Sequence, residues 1–309
     1  MQSVVRKEGV DPFLLEKMSN HYMPKKFYRY RSFNENNKDA LLLGYEWMSY
    51  PDEYNDPFDA RLFYSHQDFS DYVFNGVFVS RANPRILKLI RKLIGVKDID
   101  LGAGRIDRQL EVASKRKHGK VVSAAKDMIR DVGSMARDFS GNLVRELDER
   151  VRRSSLICSF STSLSNELMW AHYSDSHKGY CLEYGCPEII PENGGLFLPV
   201  VYREEPLDVT KAMKDSFPDG KGAGNAVIAS AIVKSSKWEY EDEWRYCVLC
   251  QEENRHLRAF EPQRLLLGCK AQKNVRNELA EICRDKGLPM YQMQRSSTSF
   301  SIVEGERIV

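Results

Sequence analysis

The sequence lacks most of the features that assign a function quickly. No apolar run approaches the roughly 18 residues of a membrane helix, so no membrane association is expected. The N-terminus, MQSVVRKEGVDPF, has no apolar stretch of signal-peptide length, and a cytoplasmic location is the expectation. No Gly-x-Gly-x-x-Gly occurs, and the Gly/Ala-rich GKGAGNA lacks the Gly-Lys-Ser/Thr ending of a phosphate-binding loop. Rossmann and P-loop enzymes are thereby disfavoured. Seven cysteines, odd in number and scattered, argue against a disulfide framework. Cys247 and Cys250 form a CxxC within the strand-like RYCVLCQ, without a second CxxC or a spaced His pair. His172 and His177 lack a third ligand, so no metal site is expected. There is no internal repeat.

What is present is an ordinary globular composition, 42% apolar and 29% charged, long enough at 309 residues for one large or two modest domains. The net charge of +2 is unevenly spread. Residues 81–153 hold 19 Lys+Arg against 10 Asp+Glu, leaving 27 against 34 in the remainder.

The chain changes texture twice. FYRYRSF reads as a strand, NNKDALLLGYEWMS as a helix running into a strand, and YPDEYNDPFDA as turns. From residue 83 to 153, ILKLIRKLI, RQLEVASKR, VVSAAKDMIRDVGSMARDF and LVRELDERVRR show three- and four-residue apolar spacing between basic residues. Strand texture then returns in SSLICSFSTS, GYCLEYG, LFLPVVYRE, WRYCVLCQ, RLLLGCKA, PMYQMQRS and TSFSIVEGERIV. NELMWAHYS, residues 223–236 and NVRNELAEICRDKG read as helices. The expected fold is α+β, a mixed or antiparallel sheet formed by residues 1–82 and 154–309 with a basic helical subdomain, 83–153, spliced into it.

The most informative stretch is Lys237–Arg245, KWEYEDEWR. On a strand Glu241 and Glu243 would share a face, and side-by-side carboxylates cost stability unless a cation or ligand hydroxyl compensates. A solvated edge strand explains the pair as well. Arg29 and Arg31 likewise share a strand face. Ser159 and Ser161 alternate with Cys158 and Phe160, as in a half-buried strand, and Met169, Trp170 and Tyr173 have helical spacing. Asp56 and Asp59 suit a turn or a helix cap.

Four motifs follow one another: YRYRS at 28–32, NDPFD at 55–59, SFSTS with MWAHY at 159–173, and KWEYEDEWR at 237–245. Together they resemble a bacterial family catalogued as a domain of unknown function and common near phage-defence genes. The same order looks like the arginine-serine-glutamate class of the ADP-ribosyltransferase superfamily, toxin-like enzymes that use NAD. That resemblance implies an Arg on the first strand, Arg29 or Arg31; a serine on an STS-type strand, Ser159 or Ser161; and Glu241 and Glu243 as the Glu-x-Glu. In it Glu243 is catalytic and Glu241 orients or deprotonates the acceptor. Cleavage of the nicotinamide–ribose bond passes through an oxocarbenium-like state, which a fixed carboxylate stabilises. A planar guanidinium suits the pyrophosphate, and Arg31 is preferred because it lies nearer NDPFD. Tyr30, Tyr54, Asn55, Asp56, Phe58, Trp170, His172 and Tyr173 complete the implied NAD site, with Tyr54, Phe58 and Trp170 as rings to sandwich nicotinamide.

Helices rich in Lys and Arg over 81–153 form an electrostatic footprint for phosphate backbones, so the implied acceptor is RNA or DNA, with protein next. Docking of that block on the acidic remainder explains the charge nearly as well. The family's genomic company implies an antitoxin-like partner. Two rival functions stay open: a Mg²⁺-dependent nuclease using Asp56, Asp59, Glu241 and Glu243, and a ligand-sensing defence module without catalysis.

Overall fold

The computed structural model describes residues 23–74, 152–186, 195–216, 223–249, 255–258 and 260–309, with a few isolated helical positions between 17 and 150. Most of the basic block 81–153 lies outside the described residues, as does Cys250. The chain divides into two compact units. One comprises Met1–Arg61, Arg152–Pro206 and Val227–Val309, the other Leu62–Val151 and Leu207–Ala226.

The first unit is built on an eight-stranded sheet, and its centre is β1, Lys26–Arg31. Period-two alternation sends Phe27 to one face, among Phe160, Tyr184, Phe197 and Trp244, and Tyr28 and Tyr30 to the other, beside Met169 and Trp170. β1 is followed by α1 (Glu35–Leu43), which begins where the Asn34 side chain accepts from Asn37 N and ends at Gly44, φ 68°. β2 is only Glu46–Trp47, and a 3-10 turn covers Pro51–Glu53. The later strands are β3 (Ser155–Ser161), β4 (Tyr180–Gly185), β5 (Leu196–Pro199), β6 (Val201–Arg203), β7 (Val233–Ser235), β8 (Glu243–Leu249), β9 (His256–Leu257), β10 (Pro262–Leu267), β11 (Met290–Arg295) and β12 (Ile302–Arg307).

The sheet order is β12-β11-β10-β4-β1-β3-β8-β5, antiparallel at every junction except β10–β11. β2 pairs with β9 and β6 with β7 in two small ribbons. The fold is therefore mixed α+β with a large, mostly antiparallel sheet, as the strand texture suggested. A 14-residue amphipathic helix, Lys273–Lys286, buries Leu279, Ala280, Ile282 and Cys283 in the aromatic core.

One junction is unlike the rest. β1 matches all six of its residues to β4, yet meets β3 only at Tyr28↔Ser161. β3 in turn pairs along its whole length with β8. The sheet opens between β1 and β3, and this opening positions the site.

In the second unit, α2 (His66–Phe74) and the helix Thr210–Ser216 gather Leu62, Phe69, Val209 and Met213 into a small core. Ser65 N donates to Thr210 Oγ1 at 2.7 Å, and Asp208 Oδ1 accepts from Thr210 N at 2.8 Å to start the second helix. Among the described residues no helix is long and apolar enough to cross a membrane.

Three local expectations are corrected. LFLPVVYRE is two strands rather than one: β5 ends at Pro199, Val200 bonds Glu243 O instead, and β6 pairs elsewhere. The helix expected over 223–236 stops at Ala231, where the β-branched Ile232 and Val233 lead into β7. KWEYEDEWR is not one strand: Ser236–Glu241 form a 3-10 helix, Asp242 turns the chain in the left-handed region at φ 46°, and β8 begins at Glu243.

Candidate active site

The opening between β1 and β3 is a cleft of about 260 Å³. Its walls carry Arg29 and Arg31 from β1, Ser159 and Ser161 from β3, and Glu241 and Glu243 at the mouth of β8. Tyr54, Asn55 and Asp59 enter from the NDPFD turn, Tyr173 from the helix Glu167–Tyr173, and Lys234 from β7. Residues spread over more than 200 positions thus meet in one concavity.

Glu241 and Glu243 are brought together by the turn between them. Asp242, a residue type that tolerates the left-handed region, is held there by Thr162 N donating to its carbonyl at 3.0 Å. Ser161 Oγ donates to Glu241 O at 2.7 Å and fixes the same turn. Both carboxylates then point at Lys234, whose Nζ lies 2.5 Å from Glu241 and 3.1 Å from Glu243. Asp59 is 3.3 Å from the same ammonium.

Arg245 completes this end of the cleft. It is fully buried, forks onto both Asp59 oxygens at 2.8 and 2.7 Å, and donates to both Glu243 oxygens at 2.8 and 2.9 Å. Burial alone would raise the Glu243 pKa, but Arg245 and Lys234 outweigh it and hold the carboxyl well below the usual range, aided by a Ser159 hydrogen bond. At Glu241 burial prevails. Its pKa is raised, with Glu243 adding repulsion, although Lys234 and the Tyr173 hydroxyl at 2.5 Å counteract. The two acids are pushed apart, Glu243 downward by its cations and Glu241 upward by burial. Pairs separated in this way suit one electrostatic and one acid–base role.

The β1 end is cationic. Glu46 is buried between Arg29, 2.5 Å away, and Arg31, and it also accepts from the Tyr184 hydroxyl. Burial would raise its pKa, yet the two guanidiniums and Tyr184 lower it. Arg29 is committed elsewhere as well, to Cys158 Sγ, Ser159 O and Trp47 O. Among the described residues the hydrogen bonds of Arg31 go to Glu46 alone. Arg31 is therefore the guanidinium with donors left for a ligand. By the same accounting Ser159 bonds Glu243 in the cleft, while Ser161 braces the turn.

Other expected residues divide. Tyr54 lines the cleft, and among the described residues its buried hydroxyl has no partner. Asn55 lines it too and bonds the Tyr173 hydroxyl. Tyr30 lines it, but its hydroxyl is spent on Ser163 O and Leu164 O at 2.6 and 3.0 Å. Four residues are corrected, since none lines the cleft. Trp170 is wholly buried, packed edge-on to Tyr30 with its indole N–H on Leu164 O, because helical spacing turns it into the core. Phe58 is 60% exposed on the turn. Asp56 accepts from Phe58 N at 2.9 Å and so shapes that turn. His172 is exposed, 6.2 Å from the Tyr240 ring.

The nuclease ligand set also changes. Asp59, Glu241 and Glu243 close on Lys234 and Arg245, so a divalent ion would have to displace two buried cations, and Asp56 points elsewhere. Among the described residues no group of three or more His, Cys, Asp or Glu is placed to hold a metal. Three cleft residues escaped the sequence reading, Lys234, Arg245 and Asp59 in its ion-pairing role, as did Glu46, which pairs with the cleft arginines. Arg245 was within reach, because it follows Glu243 by two on a strand and shares its face. Lys234 and Glu46 carry no local signal.

Fold and site together define a mixed α+β protein with a polarised ionic cleft in a split sheet. Residues 169–246 are similar to a family whose model is described as a protein of unknown function, DUF2971. That segment runs from Met169 into β8 and so contains Tyr173, Lys234, Glu241, Glu243 and Arg245, the acidic end of the cleft. No curated protein and no solved structure matches the chain.

Proposed function

We propose that this protein is an NAD-dependent ADP-ribosyltransferase with an ADP-ribosyltransferase-like core, a toxin-type anti-phage effector that modifies nucleic acid or protein. One observation carries the reading: the arginine strand β1, the serine strand β3 and a Glu-x-Glu that ends in the first residue of β8 line a single cleft. Arg31, with donors beyond its Glu46 contact, meets the pyrophosphate. Tyr54 stands by the nicotinamide riboside, where its unpartnered hydroxyl gains a polar group. Ser159 and the ionised Glu243 hold the ribose and stabilise positive charge as the nicotinamide–ribose bond breaks. Glu241, its pKa raised by burial, takes the proton of the attacking acceptor. The balance is NAD plus acceptor–H giving ADP-ribosyl acceptor, nicotinamide and a proton.

The test is incubation with labelled NAD and mixed cellular RNA, DNA and protein, with and without EDTA. Label transferred equally in both is expected. Cleavage of nucleic acid that needs metal, or no transfer at all, overturns the reading.

A further inference from the structure

The two-residue strand β2 has two faces with different chemistry. Glu46 turns inward to the cleft arginines, and Trp47, next to it, is 38% exposed. Around Trp47 the ribbon β2–β9 carries an unusual density of rings and guanidiniums. Tyr45 stacks on His256, centroids 4.0 Å apart and planes 23° apart, and the Trp47 ring is 5.6 Å from the same imidazole. The Arg255 guanidinium lies 4.7 Å from the Trp47 ring and 4.8 Å from that of Tyr50. Arg258 lies 5.9 Å from the Tyr45 ring. Six residues thus form a contiguous strip of rings and guanidiniums.

The charges are not all used internally. Arg255 is engaged by Glu53 and donates to Met48 O. Arg258 is exposed and donates to Leu43 O at 2.7 Å, and among the described residues no carboxylate pairs with it. The strip offers flat rings together with positive charge. Unstacked bases with phosphates between them are the chemical complement. A duplex, whose bases are already stacked, offers these rings nothing.

We propose that the outer face of the β2–β9 ribbon docks single-stranded nucleic acid. Bases stack on Trp47 and the Tyr45–His256 pair, and phosphates meet Arg258. As the acceptor site of the transferase the proposal rests on the reading above, but the binding itself needs no NAD. The strip shares a strand with Glu46, which pairs with the cleft residue Arg31.

The experiment is fluorescence anisotropy of the full chain with labelled 12-residue single strands, RNA in one arm and DNA in the other, against a duplex of equal length, without NAD. Trp47→Ala and Arg258→Glu, both at exposed side chains, are compared with the parent after their melting temperatures are shown to match it. The single strand is expected to bind more tightly than the duplex. Trp47→Ala should weaken it about tenfold or more, and Arg258→Glu should weaken it and flatten the salt dependence by about one ion. Equal or tighter binding of the duplex, no binding at all, or variants within about twofold of the parent overturns the proposal. Glu243→Gln is expected to bind the oligonucleotide like the parent. Loss of transfer in that variant with binding intact separates the two readings.

Discussion

The two ends of the cleft solve the burial of charge in opposite ways. At β1 one carboxylate, Glu46, sits between two guanidiniums, Arg29 and Arg31, a formal excess of one positive charge. At β8 three carboxylates, Asp59, Glu241 and Glu243, surround two cations, Lys234 and Arg245, a formal excess of one negative charge. Neither cluster is a good source of stability by itself, because desolvation offsets most of the attraction between buried ions. Together they make a polarised cleft, ready for a ligand that is anionic at one end and becomes cationic at the other. The proposed ligand, NAD losing nicotinamide, has that polarity.

The comparison can be broken most severely at Arg245. Arg245→Ala leaves Asp59 and Glu243 buried with only Lys234 between them, and urea denaturation should show a loss of about 3–5 kcal/mol. The corresponding removal of Arg31 leaves Glu46 still paired with Arg29, so its stability cost should be clearly smaller.

Next in size is the chemistry. Glu243→Gln keeps shape and removes the charge, and steady-state transfer is expected to fall by about 10²–10³-fold. Arg31→Ala should instead raise the KM for NAD by about tenfold or more, leaving kcat nearly intact. If kcat alone moves, the phosphate role of Arg31 is wrong.

The smallest effect sharpens the acid–base assignment. A base must be ionised, so turnover should fall as pH drops through the raised Glu241 pKa. Lys234 lowers that pKa, and Lys234→Met should shift the acidic limb of the pH–rate profile upward. The stability linkage runs oppositely for the two acids. The depressed Glu243 pKa gives stability that is present above the ordinary value of 4.5 and lost as pH falls through the depressed one. The raised Glu241 pKa gives stability that is present below 4.5 and lost as pH climbs through the raised one.

Much of the fold was legible because runs of strand-forming residues mark β1, β3 and β8, and the cleft residues Arg31, Ser159 and Glu243 stand on those strands. What was not legible depends on partners distant in the chain. Lys234 reads as a lone cation in an apolar run until Asp59 reaches it across 175 positions. Glu46 reads as a surface acid until β2 turns it under the arginines. Trp170 misled because its motif neighbours line the cleft while helical geometry sends it into the core. The paired acids were placed correctly for the wrong reason: a left-handed Asp242, not strand alternation, brings them to one cation.

A crystal structure with NAD bound tests the polarised cleft most directly. Pyrophosphate oxygens within hydrogen-bond reach of Arg31, with the nicotinamide ribose between Ser159 and Glu243, is the expected result. NAD bound with its ribose away from these carboxylates, or anywhere outside the β1–β3 opening, contradicts it.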